Sequence, residues 1–138
     1  MKSTDTTFHV RYAETDAMGI VHHSVYIVWF EEGRSHHLRS LGSDYARLET
    51  SGYYLAVTEV QARYLAPARY GQRVTVRTRL ESLRSRSLSM TYQVVDAESD
   101  HLLVTGRTKL ICINRRGQVA RIPSEWRQAL LSVDDPAE

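Results

Sequence analysis

The sequence predicts an α+β fold in which a long central helix is wrapped by a curved antiparallel sheet of about five strands. The helix is predicted by the run from Ser24 to Gly42, where apolar residues recur at helical spacing and surround the first half almost completely. The sheet is predicted by one segment before this run and four after it, which follow the period of strands. The sheet can bury such a helix by curling around it, and its outer face of Thr, Arg and Ser is then left to solvent or to another subunit.

The first strand and the helix follow each other closely in the sequence. Residues 6–12 alternate polar residues with the apolar Phe8, Val10 and Tyr12. The helix then runs for about 17 residues, and we expect the Ser24 side chain to cap its first N–H groups. Its apolar spacing is carried by Val25, Val28, Trp29 and Leu38. Gly33 in the middle lowers helix propensity, so we expect a neighbouring backbone to approach closely there.

The rest of the chain reads mainly as strands. A second helical turn is expected near residues 43–52, and strands are expected over 53–68, 72–83, 87–95 and 101–114, followed by a turn at 115–118, a short strand at 119–122 and a last helix capped by Ser124. The pattern is clearest in the second strand after the helix. There one face carries Val74, Val76, Thr78 and Leu80, and the other carries Arg73, Thr75, Arg77 and Arg79.

Length, charge and cysteine usage narrow the class of protein. The 138 residues predict one domain, 1–138, and a net charge of +2 with both signs present argues against a dedicated nucleic-acid binder. Cys112 is the only cysteine, so no internal disulfide is possible, and its apolar neighbours favour a core position over a nucleophile. We expect a cytoplasmic protein without membrane insertion, because neither a signal peptide nor a spanning segment is visible.

The candidate chemistry lies between the first strand and the helix. Asp16 is predicted in a turn, and Gly19 allows a tight backbone course there. One interpretation is that Thr15 and Asp16 only make turn hydrogen bonds. The other is that Asp16 lies beside the unpaired N–H groups of the helix start, which can polarise a carbonyl oxygen. A carboxylate beside such groups can attack an acyl carbon or act as general base for water.

The histidines do not predict a metal site. We expect the adjacent His22 and His23 to project in different directions, and His36 and His37 on the helix lack a His-Glu-x-x-His or Glu-x-x-His spacing. Neither a Gly-x-Ser-x-Gly elbow nor a phosphate loop or dinucleotide fingerprint occurs. We therefore expect no metal and no cofactor.

Three segments carry a resemblance to a known family. They are "VRYAETDAMGIVHHSVYIVWFEEGR" at 10–34, "YLAPARYGQ" at 64–72 and "SRSLSMTYQV" at 85–94. In order and spacing the chain, from about Phe8 to the last helix, resembles the YbgC and 4-hydroxybenzoyl-CoA thioesterase group of the hotdog superfamily. The resemblance implies a hotdog fold, a homodimer often paired into a homotetramer, and an acyl site at the subunit interface.

The resemblance also implies roles for individual residues. Asp16 matches the catalytic aspartate, and Tyr12 and His23 match positions that line or support the site. The backbone N–H at or near His23 matches the group that polarises the thioester carbonyl. The basic turn formed by Arg84, Arg86 and Ser87 falls where relatives bind coenzyme A phosphates, although a solvated turn is an equal alternative. The expected substrate is a short-chain, medium-chain or aromatic acyl thioester of coenzyme A, or of an acyl carrier protein.

Departures and competing carboxylates leave alternatives open. Met18 stands where many relatives have Gly, and His22 where many have Tyr or Trp. Glu14 would share a strand face with Asp16 if residues 11–15 continued the first strand, but a solvated or Arg-paired Glu14 is favoured. Glu31 and Glu32 on the helix are further candidates, because another hotdog lineage places its catalytic carboxylate there. An ordinary helix pair between Glu31 and Arg34 is favoured.

Two other functions compete with thioester hydrolysis. A hotdog hydratase or dehydratase would use an acidic residue and a histidine, which Asp16 with His22 or His23 could supply. A noncatalytic module could bind nucleic acid or an acidic protein through the arginines of residues 72–86. The interspersed acidic residues, and the lack of aromatic residues between those arginines, argue against the second function.

Overall fold

The computed structural model describes residues 3–41 and 50–131. The strands are β1 (Ser3–His9), β2 (Tyr54–Tyr64), β3 (Arg73–Leu83), β4 (Ser87–Asp96) and β5 (Leu102–Ile113). The helices are α1 (Val25–Arg39), α2 (Ser124–Leu131) and a short 3-10 helix, Tyr12–Glu14. The helical turn expected near 43–52 falls largely on residues 42–49, which lie outside the described residues.

The five strands form one antiparallel sheet in the order β1-β3-β4-β5-β2. Helix α1 packs against β1 and β3 and also contacts β2 and β4, so the sheet curves around it. The predicted α+β arrangement of a central helix and a five-stranded antiparallel sheet is therefore confirmed. Within the described ranges, neither helix is long and apolar enough to cross a membrane.

The core lies between α1 and the inner face of the sheet. On β3 the predicted inner residues Val74, Val76, Thr78 and Leu80 are all buried, as the period of two requires. Thr75 points to the other face but is also buried, and its hydroxyl is satisfied by a hydrogen bond to Thr7 on the neighbouring strand at 2.8 Å. Cys112 is a fully buried core residue, and burial raises the pKa of its thiol.

Gly33 marks a close contact between helix and sheet. A Cβ at this position would lie 2.9 Å from Val76 Cγ1 and still closer to Thr78 Oγ1. The helix and sheet do approach closely here, but the neighbouring atoms are β3 side chains and not the backbone that was expected. The glycine gives up helix propensity so that α1 can rest directly on the sheet.

The first strand ends earlier than predicted. It stops at His9, and Val10 exchanges hydrogen bonds with a distant turn, donating to Gln72 O at 2.9 Å and accepting from Gly71 N–H at 3.1 Å. The chain then enters the 3-10 helix that contains Tyr12 and Glu14. Residues 11–15 therefore do not continue the first strand, so the condition under which Glu14 and Asp16 would share a strand face is not met.

The helix also differs from its prediction. It has 15 residues, and Ser24 occupies the N-cap position without a side-chain capping bond. Its first half is not buried all round, because Ile27 and Val28 remain 42% and 55% exposed in the single chain. The segment expected as a strand at 119–122 is reduced to one bridge between Ile113 and Val119, and Ser124 is the first residue of α2.

Candidate active site

The loop between β1 and α1 folds back on itself in a tight turn. Asp16 N–H donates to Ile20 O at 2.8 Å, and Gly19 N–H donates to Asp16 O at 3.0 Å. Gly19 has a φ of 77°, which an L side chain rarely adopts. A bridge between Thr15 and Val21 closes the base of this turn. The turn predicted around Asp16 is thus present, and it presents the Asp16 side chain at its start.

Glu14 anchors this loop to the helix. Its carboxylate accepts hydrogen bonds from Arg11 N–H (2.8 Å), Arg11 Nη2 (3.1 Å) and the indole Nε1–H of buried Trp29 (2.8 Å). Burial alone would raise the pKa of Glu14, but the bonds from Arg11 and Trp29 outweigh it and lower the pKa. Glu14 is therefore a buried, Arg-paired residue that holds the loop in place.

Asp16 lies in a different environment. One carboxylate oxygen, Oδ1, accepts the Met18 N–H at 2.8 Å, and the side chain is half-buried. No other hydrogen bond reaches this carboxylate from residues 3–41 or 50–131. It borders a cleft of about 410 Å³, hereafter the Asp16 cleft, whose other lining residues are Met18, Ile20, Val21, His23, Tyr26, Tyr64, Leu65, Ala66 and Pro67. The turn hydrogen bonds of the simpler interpretation exist, but Asp16 also puts a carboxylate into a largely apolar cleft.

The two histidines lie together at the helix start. Their rings stack with centroids 4.4 Å apart, so the expectation that they diverge is wrong. The reason is local: His22 Nδ1 hydrogen-bonds Ser24 Oγ at 2.8 Å, which turns the His22 ring toward the helix and occupies the hydroxyl expected to cap it. His23 lines the Asp16 cleft, and its N–H has no hydrogen-bond partner among the described residues.

The remaining predicted site residues lie outside this cleft in the single chain. Tyr12 is 77% exposed and packs edge-on against Tyr70, with ring centroids 5.6 Å apart. Arg84 and Arg86 lie exposed in the turn between β3 and β4, and Ser87 is the first residue of β4. That turn is well held: Arg84 N–H donates to Ser87 O at 2.8 Å, and Cys112 N–H donates to Arg86 O at 2.9 Å. The structure thus brings Asp16 and His23 together but leaves the basic turn elsewhere on the chain.

Sequence reasoning missed the wall opposite Asp16. Tyr64 hydrogen-bonds the His23 carbonyl at 2.8 Å, and Tyr26 OH accepts the Ala68 N–H at 3.1 Å. These contacts join residues about 40 positions apart, which local periodicity does not reveal. The available signal was Pro67, since proline within a sheet is largely confined to edge strands and its place in the segment 53–68 was therefore compatible with an edge strand.

The helix carboxylates belong to another part of the surface. Glu31 and Glu32 border a cleft of about 620 Å³ between β1 and α1, larger than the Asp16 cleft but away from it. No ion pair joins Glu31 to Arg34 in the described ranges, so the expected helix pair is wrong. Arg34 Nη1 instead donates to Tyr92 OH at 3.3 Å.

The helix histidines are tied to β1. His36 and His37 hydrogen-bond Thr6 and Thr4 at 2.7 Å and 2.8 Å. Across the part of the chain that the structure describes, no three His, Cys, Asp or Glu side chains converge as metal ligands.

Known proteins are similar to this chain in sequence and in fold. A family model described as the thioesterase-like superfamily matches residues 10–130. The acyl-CoA thioester hydrolase YbgC of Escherichia coli O157:H7 is 30% identical over 105 residues, which cover 76% of this chain and 78% of YbgC.

Two solved structures extend the match. A hypothetical protein from Thermus thermophilus is 41% identical with a TM-score of 0.87, covering 96% of this chain and 98% of that one. The DHNA-CoA thioesterase from Staphylococcus aureus is 32% identical with a TM-score of 0.88, covering 96% and 91%. These matches confirm the resemblance to hotdog thioesterases and the prediction of an enzyme. The chain belongs to the thioesterase-like superfamily, a family of thioester hydrolases.

Proposed function

We propose that this chain hydrolyses acyl thioesters of coenzyme A at the Asp16 cleft. The observation that carries the proposal is that one largely apolar cleft is bordered both by the Asp16 carboxylate and by His23, whose N–H has no hydrogen-bond partner among the described residues. The names of the two relatives with known activity, an acyl-CoA thioester hydrolase and a DHNA-CoA thioesterase, support the substrate class. The apolar lining supports an uncharged acyl group, short-chain, medium-chain or aromatic.

In the proposed mechanism the helix start stabilises the developing oxyanion. Val25 N–H already donates to His22 O at 3.0 Å, whereas the His23 N–H has no partner among the described residues. An N–H group at a helix N-terminus carries partial positive charge, and it costs no reorganisation when the carbonyl oxygen becomes negative. We propose that the thioester carbonyl oxygen binds this N–H.

Asp16 supplies the other half of the reaction. Its carboxylate either attacks the carbonyl carbon, forming an acyl-enzyme that water then hydrolyses, or takes a proton from a water that attacks. In both routes the C–S bond breaks and its electron pair leaves with sulfur. Water supplies the new oxygen, and the products are a carboxylic acid and a free thiol. The hydrogen bond from Met18 N–H holds one Asp16 oxygen and leaves the other oxygen available to attack the carbonyl carbon or to accept a proton from water.

We propose that the enzyme is at least a homodimer, with a homotetramer as the possible larger assembly. Strand β2 pairs with β5 on one side, and its other edge is unpaired within the described sheet. Four large side chains along it, Tyr54, Val57, Val60 and Tyr64, are 38–48% exposed. An exposed edge strand of this length invites pairing with a second copy. Because Tyr64 also lines the Asp16 cleft, a partner on this edge would lie beside the cleft.

The basic turn is proposed to bind the phosphates of coenzyme A. Arg84 and Arg86 are exposed, and the backbone bonds described above hold their turn. Guanidinium groups bind phosphates well, particularly when little side-chain and backbone ordering is needed. Since the turn is away from the cleft within one chain, the complete site is proposed to form only in the assembled dimer. We also propose a cytoplasmic location, because the single buried thiol of Cys112 fits a reducing compartment.

The direct test of this function is thiol release from a panel of coenzyme A esters. The panel contains short-chain, medium-chain and aromatic acyl groups, together with acyl carrier protein thioesters and an enoyl-CoA. We expect free thiol from one or more uncharged acyl-CoA esters. Loss of the enoyl absorbance without thiol release would instead identify a hydratase and contradict the proposal.

A further inference from the structure

Tyr64 connects the end of β2 to the start of α1. Its hydroxyl donates to the carbonyl oxygen of His23 at 2.8 Å, across 41 positions of sequence. Its ring packs edge-on against Tyr26, with centroids 5.5 Å apart, and borders the Asp16 cleft. Tyr26 is itself fixed, because it is buried and its hydroxyl accepts the Ala68 N–H.

The helix leaves the His23 carbonyl available for this bond. Val25 N–H donates to His22 O, and Ile27 N–H donates to Ser24 O at 3.3 Å. The His23 carbonyl accepts no backbone hydrogen bond within the described residues, so Tyr64 OH is the group that restrains it. The backbone at one residue has only two soft dihedral angles. The His23 N–H shares its planar peptide unit with the His22 carbonyl, which accepts the Val25 N–H, whereas Tyr64 holds the next peptide unit. With both units held, the two dihedral angles of His23 are restrained, and the Tyr64 bond limits how far the His23 N–H can reorient.

We propose that Tyr64 is a positioning residue whose hydroxyl keeps the His23 N–H directed at the thioester carbonyl, while its ring forms a wall for the acyl group. This role rests on the proposed thioesterase function. The Tyr64 hydroxyl donates a hydrogen bond to a backbone carbonyl and takes no part in bond breaking. Its two parts therefore contribute separately: the hydroxyl to oxyanion stabilisation, and the ring to substrate binding.

The test compares Tyr64→Phe with the wild-type chain on an acyl-CoA ester that the wild type hydrolyses. Removal of the hydroxyl should lower kcat about three- to tenfold and leave KM within about twofold, because one neutral hydrogen bond is lost and the ring remains. Tyr64→Ala removes the ring as well and should raise KM in addition. The matched control is Tyr53→Phe, a tyrosine that precedes β2 and packs against the core away from the Asp16 cleft, where loss of a hydroxyl should change neither constant.

The outcomes separate the two proposals. A Tyr64→Phe protein with wild-type kcat would overturn the positioning role and leave the thioesterase proposal standing. An equal loss of kcat in Tyr53→Phe would also overturn it, since the effect would then not be specific to the His23 contact. Hydrolysis of no ester by the wild-type chain would overturn the proposed function and this role with it. A thermal unfolding curve for each variant shows whether it is fully folded at the assay temperature.

Discussion

At the scale of single residues, two carboxylates two positions apart have different environments. Glu14 is buried and accepts three hydrogen bonds, whereas Asp16 accepts one and borders an apolar cleft. The difference comes from the 3-10 helix, which turns Glu14 toward Trp29 and leaves Asp16 at the start of the next turn. A buried carboxylate whose oxygens all accept hydrogen bonds stabilises the fold, whereas a carboxylate with an oxygen that accepts none is available for chemistry.

The anchoring role of Glu14 predicts a loss of stability in Glu14→Gln. The amide nitrogen of the variant would face donors from Arg11 or Trp29, so a buried hydrogen bond would be broken. We expect the free energy of unfolding to fall by about 1–3 kcal/mol, measured by urea denaturation at pH 7. The matched control, Glu31→Gln on the exposed side of α1, should change it by less than about 0.5 kcal/mol. Equal stabilities of the two variants would contradict the anchoring role.

The sequence predicted the position of Asp16 better than that of its neighbours. A turn between a strand and a helix can be read from Asp16 and Gly19, because their preferences are local. Tyr12 was assigned to the strand because its alternation is also local. The structure ends that strand through bonds to the turn at 71–72, which no pattern within residues 6–12 contains. The tyrosines of the cleft were missed for the same reason.

At the scale of elements, a carboxylate at the end of β4 ties three segments together. Asp96 accepts hydrogen bonds from Gln72 Nε2 at 3.0 Å and from the Ser99 N–H and hydroxyl at 2.7 Å each. The bond from Gln72, followed by those from Ser99, lowers the pKa of Asp96 to about 2. The ionised form thus stabilises both the turn before β3 and the turn after β4.

This arrangement predicts a defined dependence of stability on pH. Because the pKa of Asp96 is lower in the folded chain than in the unfolded one, its contribution is complete above about pH 4 and is lost as pH falls toward about 2. Urea denaturation of the wild type and Asp96→Asn should give a difference in unfolding free energy that is constant from pH 7 to pH 5 and narrows below pH 4. A difference that stays constant down to pH 3 would contradict the claim that the ionised form of Asp96 stabilises the two turns.

The regular elements were predictable because their signals are periodic. The buried face of β3 follows the period of two, and Gly33 in α1 correctly indicated close packing against the sheet. Their ends were less predictable, because the ends depend on contacts with other elements. Ser24 illustrates this: its sequence position is right for a helix cap, but His22 competes successfully for its hydroxyl.

At the scale of the whole molecule, the apolar edge of β2, with which no strand of the described residues pairs, is a feature that a single chain does not explain. Apolar side chains on an open strand edge are a liability unless a partner covers them. Helix α1 adds Ile27 and Val28 to the exposed apolar surface. The sequence pattern marked these helix positions as buried. In the proposed dimer they could be covered by the second copy, and periodicity does not distinguish that burial from burial within one chain.

The proposed dimer predicts that a charge on this edge removes both assembly and activity. Val57→Lys should shift the protein from dimer to monomer in analytical ultracentrifugation and reduce acyl-CoA hydrolysis at least tenfold, since a Lys on an edge strand opposes pairing. The control is Val119→Lys, an exposed position outside the sheet edge, which should leave assembly and activity unchanged. A wild-type protein that is monomeric and fully active would contradict the proposal that the complete active site forms only in the dimer.

The most direct test of the central claim is thiol release by Asp16→Asn on the acyl-CoA ester that the wild type hydrolyses fastest. The substitution keeps the size of the side chain and an acceptor for the Met18 N–H, so the turn should remain folded. We predict that kcat falls by about 10³-fold or more, with circular dichroism and thermal unfolding close to wild type. Hydrolysis within about twofold of the wild-type rate by this folded variant would show that Asp16 is not the catalytic carboxylate.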